Sequence, residues 1–315
     1  MENVNNEAVS GLSEERKAIY NKRKAQKKRK KIILHTIYYV VGAILSLIFL
    51  FPLIYMLAAS TKTEAQNAFD AGTIYMFIPN FDFTQTFKNY ATLFVTHSVW
   101  KYVINSLAYA AITIVLNILI NGLAGYAIAK FRFPGKKFFN FIIIFLIVVP
   151  VETSIIPLYA IVKSLLGLKE ASSVLAVILP ASISIFNIFL FIQFFSGIPT
   201  EFEEAARMDG ATDLEVFFKI IVPLSKPIIA TVAVFCFIGV WNDYLWPIMV
   251  LPQVEGNAWP LLPIQAALQS IQAIPGITTG EIMASLVTTS LPIFIVYIVA
   301  QKYIVQGFGS AGLKL

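Results

Sequence analysis

The sequence predicts an all-α integral membrane protein with six transmembrane helices and both termini inside, and three observations carry that reading. Of 315 residues, 57% are hydrophobic and only 13% charged, with a mean hydropathy of +0.74, against roughly 25% charged in soluble domains. The apolar residues fall into six long runs, each near or above the roughly 20 residues a helix needs to cross about 30 Å of hydrocarbon. With the amino terminus inside, 19 of the 24 Lys and Arg fall on inner segments, and only Lys62, Lys88, Lys101, Lys163 and Lys169 on outer ones. That asymmetry sets an N-in/C-in topology. Together these features exclude a soluble enzyme, a secreted disulfide scaffold and a disordered chain.

Residues 1–31 form a polar tail ending in a basic block from Arg16 to Lys31. It reads as a solvated cytoplasmic segment that can also attract anionic lipid. Nucleic acid is not expected as a partner, because no aromatic side chains are interleaved in the block for base stacking. The first run, Ile32 to Ala59, holds no Asp, Glu, Lys or Arg over 28 residues, too long for a signal-peptide core. Residues 61 to 101 form an external loop, in which aromatic residues and Pro79 suggest packing against the bundle or a partner. The remaining runs are Val103 to Ala129, Phe138 to Tyr159, Ala171 to Phe195, Pro227 to Val250 and Ile282 to Ala300. The loop from Lys130 to Lys137 is short enough to make the second and third runs a hairpin. Pro180 and Pro292 predict kinks in the fourth and sixth runs, although proline is also simply tolerated in membrane helices. Cys236 sits alone in an apolar run and reads as a small buried hydrophobe.

Two acids lie within the runs. Glu152 follows Pro150 and reads either as a local hydrogen-bonding group at a broken helix or as a lining group of a solute path. Proton coupling is disfavoured because no His or Lys relay accompanies it. Asp243 lies in Trp241-Asn242-Asp243-Tyr244-Leu245-Trp246-Pro247. A carboxylate in lipid is costly and should face the bundle interior or water. Trp241, Asn242, Asp243 and Tyr244 are therefore candidate path residues, aromatic faces stacking on sugar rings and polar groups binding hydroxyls. The alternative is an interfacial aromatic belt with a carboxylate that caps a neighbouring helix.

The connection between the fourth and fifth runs, residues 198–226, is unlike a tether. Pro199, Thr200 and the acids Glu201, Glu203 and Glu204 form a helix-start pattern, with Thr200 as the expected cap. A short helix is expected over 201–208, ended by Gly210 in a positive-φ turn. A second helix, Asp213 to Val222, would present Leu214, Phe217, Phe218 and Ile221 on one face until Pro223 breaks it. The product is a stiff pair of helices at an angle.

The string Glu204-Ala205-Ala206, then Asp209-Gly210-Ala211, then Ile220 to Pro223, resembles the EAA loop of permease subunits in binding-protein-dependent ABC importers. Asn105-Ser106, Tyr126 to Phe133, Ile156 to Tyr159 and Trp241 to Tyr244 are similar to the carbohydrate branch, in particular to the smaller permease of maltose-type systems. The resemblance covers residues 32–315 and implies a type I ABC importer permease fold in a bacterial plasma membrane. It further implies that Glu203, Glu204, Ala205, Ala206, Asp209, Gly210 and Ala211 couple the chain to an ATPase. In that coupling Glu204 would pair with a basic group while the alanines permit close approach. The implied partners are a second permease chain, two ATPase subunits that bind ATP and Mg, an external solute-binding protein, membrane lipid and a sugar. No cofactor is expected in this chain. The sequence has no phosphate-binding Gly-rich loop and no His-Glu-x-x-His motif, and His35 and His97 read as structural. A secondary transporter should show internal repeats and ion-site helix breaks, and a membrane enzyme should show a catalytic constellation. A related permease for a non-sugar solute is the remaining alternative.

Overall fold

The computed structural model describes residues 14–165, 167, 173–252 and 259–312. Residues 1–13 of the tail, Lys169, Ala171 and Lys314 thus lie outside the described residues. Among the described residues every regular element is helical. α1 (Glu14–Ala59) is one helix that runs across the tail boundary expected at residue 31, with Pro52 inside it, and its apolar part packs little against the rest of the chain. The loop over residues 61–101 holds short helices: α2 (Glu64–Asp70) carries a Thr63 capping box, and α3 (Phe83–Ala91) is capped by Asp82. The Lys62 ammonium pairs with Asp70 at 2.8 Å and donates to the Tyr75 carbonyl. Glu64 accepts from the Thr279 amide and hydroxyl at 2.6 and 2.9 Å, fastening this loop to the start of the last helix. At that fastening Gly280 lies so close that a Cβ would sit 2.5 Å from the Lys62 carbonyl oxygen.

α4 (Val99–Lys130) is the central element, contacting α7 (Ser173–Ala181), α8 (Ile185–Ser196), α11 (Lys226–Asn242) and α13 (Ile264–Gln272). Three apolar clusters follow one another along it, around Trp241 and Ile264, then around Trp246 and Val177, then around Phe195 and Phe217. One face of α4 is polar at four-residue spacing: Asn105, Tyr109, Thr113, Asn117 and Asn121. Asn105, Tyr109 and Asn121 serve chain segments that have left helical geometry. Asn105 donates to the Pro260 and Leu262 carbonyls and Tyr109 to that of Leu261. Asn121 donates to the Ser182 carbonyl and accepts from the Ser184 amide, where α7 breaks after Pro180. Backbone groups freed by a break at membrane depth need such partners, since lipid offers none. Gly125 allows α8 to approach, because a Cβ there would meet Phe191 Cβ at 2.5 Å.

Four segments, 26–59, 99–130, 173–196 and 279–301, are long and apolar enough to span a membrane. The third run departs from the single helix expected over Phe138 to Tyr159. α5 (Lys136–Val148) stops at Val149-Pro150, and the chain resumes through α6 (Ile155–Ala160) at a 98° bend. Proline has no N–H to continue the ladder, and its ring clashes with the preceding turn. The fifth run also divides, because α11 ends at Asn242 and α12 (Leu245–Val250) begins after Tyr244. The last helix, α14 (Thr279–Gly312), extends the sixth run at both ends.

Candidate functional site

Two arrangements draw together the candidate residues, a helical lever at one end of the bundle and a cavity at its helix breaks. The lever begins with α9 (Glu201–Met208). Thr200 is not its side-chain cap: its backbone is itself helical (φ −71°, ψ −20°), which turns the hydroxyl away from the first amides, and only its carbonyl is used. The end of α9 explains the sequence pattern. Gly210 adopts φ +86°, its amide donates to the Arg207 carbonyl, and the Ala211 amide donates to that of Ala206, both at 3.0 Å. This is a Schellman termination, in which the residues bonded across the turn also make an apolar contact. Ala206 and Ala211 accordingly both pack on the Phe217 cluster. The turn needs glycine for its φ rather than for space, since nothing lies within 4 Å of a Cβ at Gly210.

The second arm starts at α10 (Asp213–Val216), capped by a reciprocal Thr212 and Glu215 box. It continues through a widened turn, Phe217–Ile221, and ends after Val222–Leu224. Pro223 therefore lies inside the arm rather than ending it at Val222, tolerated where the widened turn has already loosened the hydrogen-bond ladder. Lys219 and the Thr212 cap hold the Glu215 carboxyl down to about 2. Arg207 Nε donates to Asp213 at 3.2 Å, bridging the two arms across the turn. The arm then meets α11 at 84°.

The root of the lever is a buried charge cluster. Glu203 is 2% exposed, with Oε1 2.8 Å from Lys130 Nζ and Oε2 3.7 Å from Arg207, and it accepts from the Tyr126 hydroxyl at 3.4 Å. Lys130 also donates to the Ile198 carbonyl at 2.6 Å. One ammonium, at the last residue of α4, thus holds both the chain entering the lever and the lever's first turn. Glu203 faces inward, while Glu204, Ala205 and Asp209 face outward beside Phe202, Met208 (88% exposed), Leu214 and Phe218. Lys130 carried no signal beyond being a loop charge. The mark that could have singled it out is its place at the junction of an apolar helix and a loop, within reach of an acid-rich segment.

The cavity, of about 520 Å³, lies where three interrupted helices meet. Glu152 and Ser154 come from the break after Pro150, Pro180 and Ala181 from the end of α7, and Asn242, Asp243 and Tyr244 from the link between α11 and α12. Glu152 and Asn242 to Tyr244, distant in sequence, line one space. Asp243 accepts from the Trp246 amide at 3.3 Å, so this carboxylate starts α12 while also facing the cavity. Trp241 is placed elsewhere. It is 0% exposed, stacks on Phe237 at 5.5 Å and donates to the Thr289 carbonyl, because the last turn of α11 directs it into the core. Trp246 supplies an aromatic wall instead, its indole N–H bonded to the Ala176 carbonyl. Among the described residues no group of His, Cys, Asp and Glu could hold a metal ion.

Residues 121–310 match the family model described as binding-protein-dependent transport system inner membrane component. The chain is 31% identical over 273 residues to the arabinooligosaccharides transport system permease protein AraQ of Halalkalibacterium halodurans, covering 86% of this chain and 94% of that one. It is 31% identical to the diacetylchitobiose uptake system permease protein NgcG of Streptomyces coelicolor, over 69% and 71% of the two chains. A chain from the crystal structure of a bacterial ABC transporter involved in the import of the acidic polysaccharide alginate superimposes with a TM-score of 0.72 at 27% identity. That superposition covers 87% of this chain and 98% of the other.

Proposed function

The chain belongs to the family of binding-protein-dependent transport system inner membrane components, and from that premise we propose that it is a permease subunit of an ATP-driven importer for a sugar or oligosaccharide. Its place is the bacterial plasma membrane with both termini inside, as the 19 to 5 basic split argues. It works beside a second permease chain, two ATPase subunits that bind ATP and Mg, and an external solute-binding protein. The single observation that carries the reading is the lever: two short helices locked by a Schellman turn, the second capped by the Thr212 and Glu215 box, rooted on α4 through Lys130, and joined to α11 at 84°. A rigid body so attached transmits displacement to two spans, where a flexible linker would absorb it. Glu204, Ala205 and Asp209, with the exposed apolar side chains beside them, are the face offered to the ATPase. Glu203, Ala206, Gly210 and Ala211 keep that face in place. ATPase closure pulls the lever and opens the cavity outward, where Glu152, Asn242, Asp243, Tyr244 and Trp246 receive the sugar. Sugar rather than another solute is favoured by the aromatic wall and hydroxyl-binding groups in one cavity, and by the oligosaccharide-transporting relatives.

The test replaces Gly210 with Val and Glu204 with Lys in transporter reconstituted in vesicles. Valine at φ +86° strains the turn by about 1–3 kcal/mol, and Lys reverses the charge at the dock. Both variants should insert normally yet lose ATP-dependent uptake and ATPase co-purification. Normal values for both would show a passive connector.

A further inference from the structure

The turn between α4 and α5 carries a second cavity, of about 550 Å³, lined by Arg132, Phe133, Gly135, Lys136, Lys137 and Asn140. Its charges are all of one sign. Lys136 is engaged, donating to the Ala129 and Phe131 carbonyls at 2.8 and 3.2 Å, and so closes the end of α4 and holds the turn open. Arg132 and Lys137 are exposed, and among the described residues neither forms an ion pair. Two free cations converge on a concave space at the end of an apolar helix. From that space an apolar column descends α5: Phe138, Phe141, Phe145 and Val148 are all well exposed, and Phe141 stacks on Phe145 at 6.4 Å. A free anion would use the cations and leave the column unused. An acidic protein surface would do the same. An anionic phospholipid uses both, with its phosphate at the cations and its acyl chains along the rings.

We propose that Arg132 and Lys137 form a headgroup site for an anionic phospholipid whose acyl chains lie along Phe138, Phe141 and Phe145. Basic pockets at the ends of membrane helices suit such headgroups, and the inner leaflet, where the orientation proposed above puts this turn, is the anionic one. The site begins two residues beyond Lys130, so an occupied pocket steadies the anchor of the lever.

The experiment uses the assembled transporter, purified in mild detergent and equilibrated with phosphatidylglycerol and phosphatidylcholine of identical acyl chains. Retained lipid is counted by native mass spectrometry. The wild type should retain phosphatidylglycerol preferentially, on the order of 30-fold, the combined worth of two interfacial cations. R132Q/K137Q should abolish that preference, and R132Q or K137Q alone should lose part of it, which keeps the test valid if the double variant fails to assemble. Replacing Lys27, Lys28 and Lys30 of the tail with Gln should leave the preference intact. The proposal is overturned by equal retention of the two lipids in the wild type, by an unchanged preference in the loop variants, or by a preference lost only in the tail variant. Displacement of the lipid by excess inorganic phosphate would reassign the pocket to a small anion. Unchanged lipid retention with reduced ATPase co-purification in R132Q/K137Q would reassign it to an acidic partner surface.

Discussion

Replacing Glu203 with Gln removes one charge from a pair whose two side chains are 3% and 4% exposed. Lys130 then keeps the Ile198 carbonyl but loses its counter-ion in a site closed to water. Breaking a buried pair from one side costs about 3–5 kcal/mol, a factor of about 10²–10⁴ in the opening equilibrium of the segment it holds. Lys130→Met should cost a similar amount, because it leaves the Glu203 carboxylate only the more distant Arg207 guanidinium and Tyr126 hydroxyl, and the Ile198 carbonyl without its charged donor. Replacing both by Met removes both charges together and leaves two neutral groups, the Ile198 carbonyl at about 1–3 kcal/mol and the Tyr126 hydroxyl, whose bond to Glu203 was already long at 3.4 Å. The double variant should therefore be more stable than either single variant. Hydrogen exchange of the α9 amides in purified transporter measures this opening, since exchange in a short helix reports local unfolding. Singles should exchange about 10²-fold faster or more, the double variant less so, and ATP-dependent uptake should fall in the same order. Exchange within threefold of wild type in both singles, or a double variant as fast as the product of the singles, would refute the claim that this pair anchors the lever.

Gly125→Ala forces α4 away from Phe191 and should cost about 1–3 kcal/mol of thermal stability in detergent, whereas Gly239→Ala, with nothing within 4 Å, should be near neutral. Asn121→Leu leaves the Ser182 carbonyl and Ser184 amide unpaired, each at about 1–3 kcal/mol, and should lower the amount of assembled transporter more than Asn140→Leu at the bundle surface. Tyr244→Ala should impair sugar uptake with assembly intact, while Trp241→Ala should reduce assembly itself, by about 3–5 kcal/mol for an emptied core site; equal effects on uptake and assembly in both would erase the distinction between lining and core. Cysteines placed at residues 80 and 133 on a background lacking Cys236 should react with an impermeant reagent from outside only at 80, and external reaction at 133 would reverse the topology.

Composition and charge made the membrane class legible, and the turn at Gly210 could be read because few residues other than glycine enter that region of φ. The capping of the lever was read at the wrong threonine. Thr200 has the right neighbours, but its own backbone is already helical, whereas Thr212 with Glu215 three residues later makes the reciprocal box. Hydropathy drew the third run as one unbroken helix because an apolar window does not register direction, and the chain bends by 98° at Pro150 without interrupting the hydrophobic signal. The motif around Asp243 marked a candidate site without saying which ring faced where. Trp241 and Tyr244 are equivalent by composition, and only the helix end at Asn242 separates core from cavity. Lys130 escaped notice because its partner Glu203 lies beyond two intervening apolar runs, and the asparagine ladder because each member by itself resembles an isolated polar residue in an apolar run.

The fastening of Glu64 to Thr279 also has a meaning in time. Its two ends lie 215 residues apart, and a ribosome adding about 5–20 residues per second separates their emergence by roughly 10–40 s. Throughout that interval the loop that carries Glu64 must wait without Thr279, and the space that Gly280 will occupy against the Lys62 carbonyl stays empty. A nascent chain halted before the sixth run would keep that surface open, a difference in shape between the unfinished chain and the finished one.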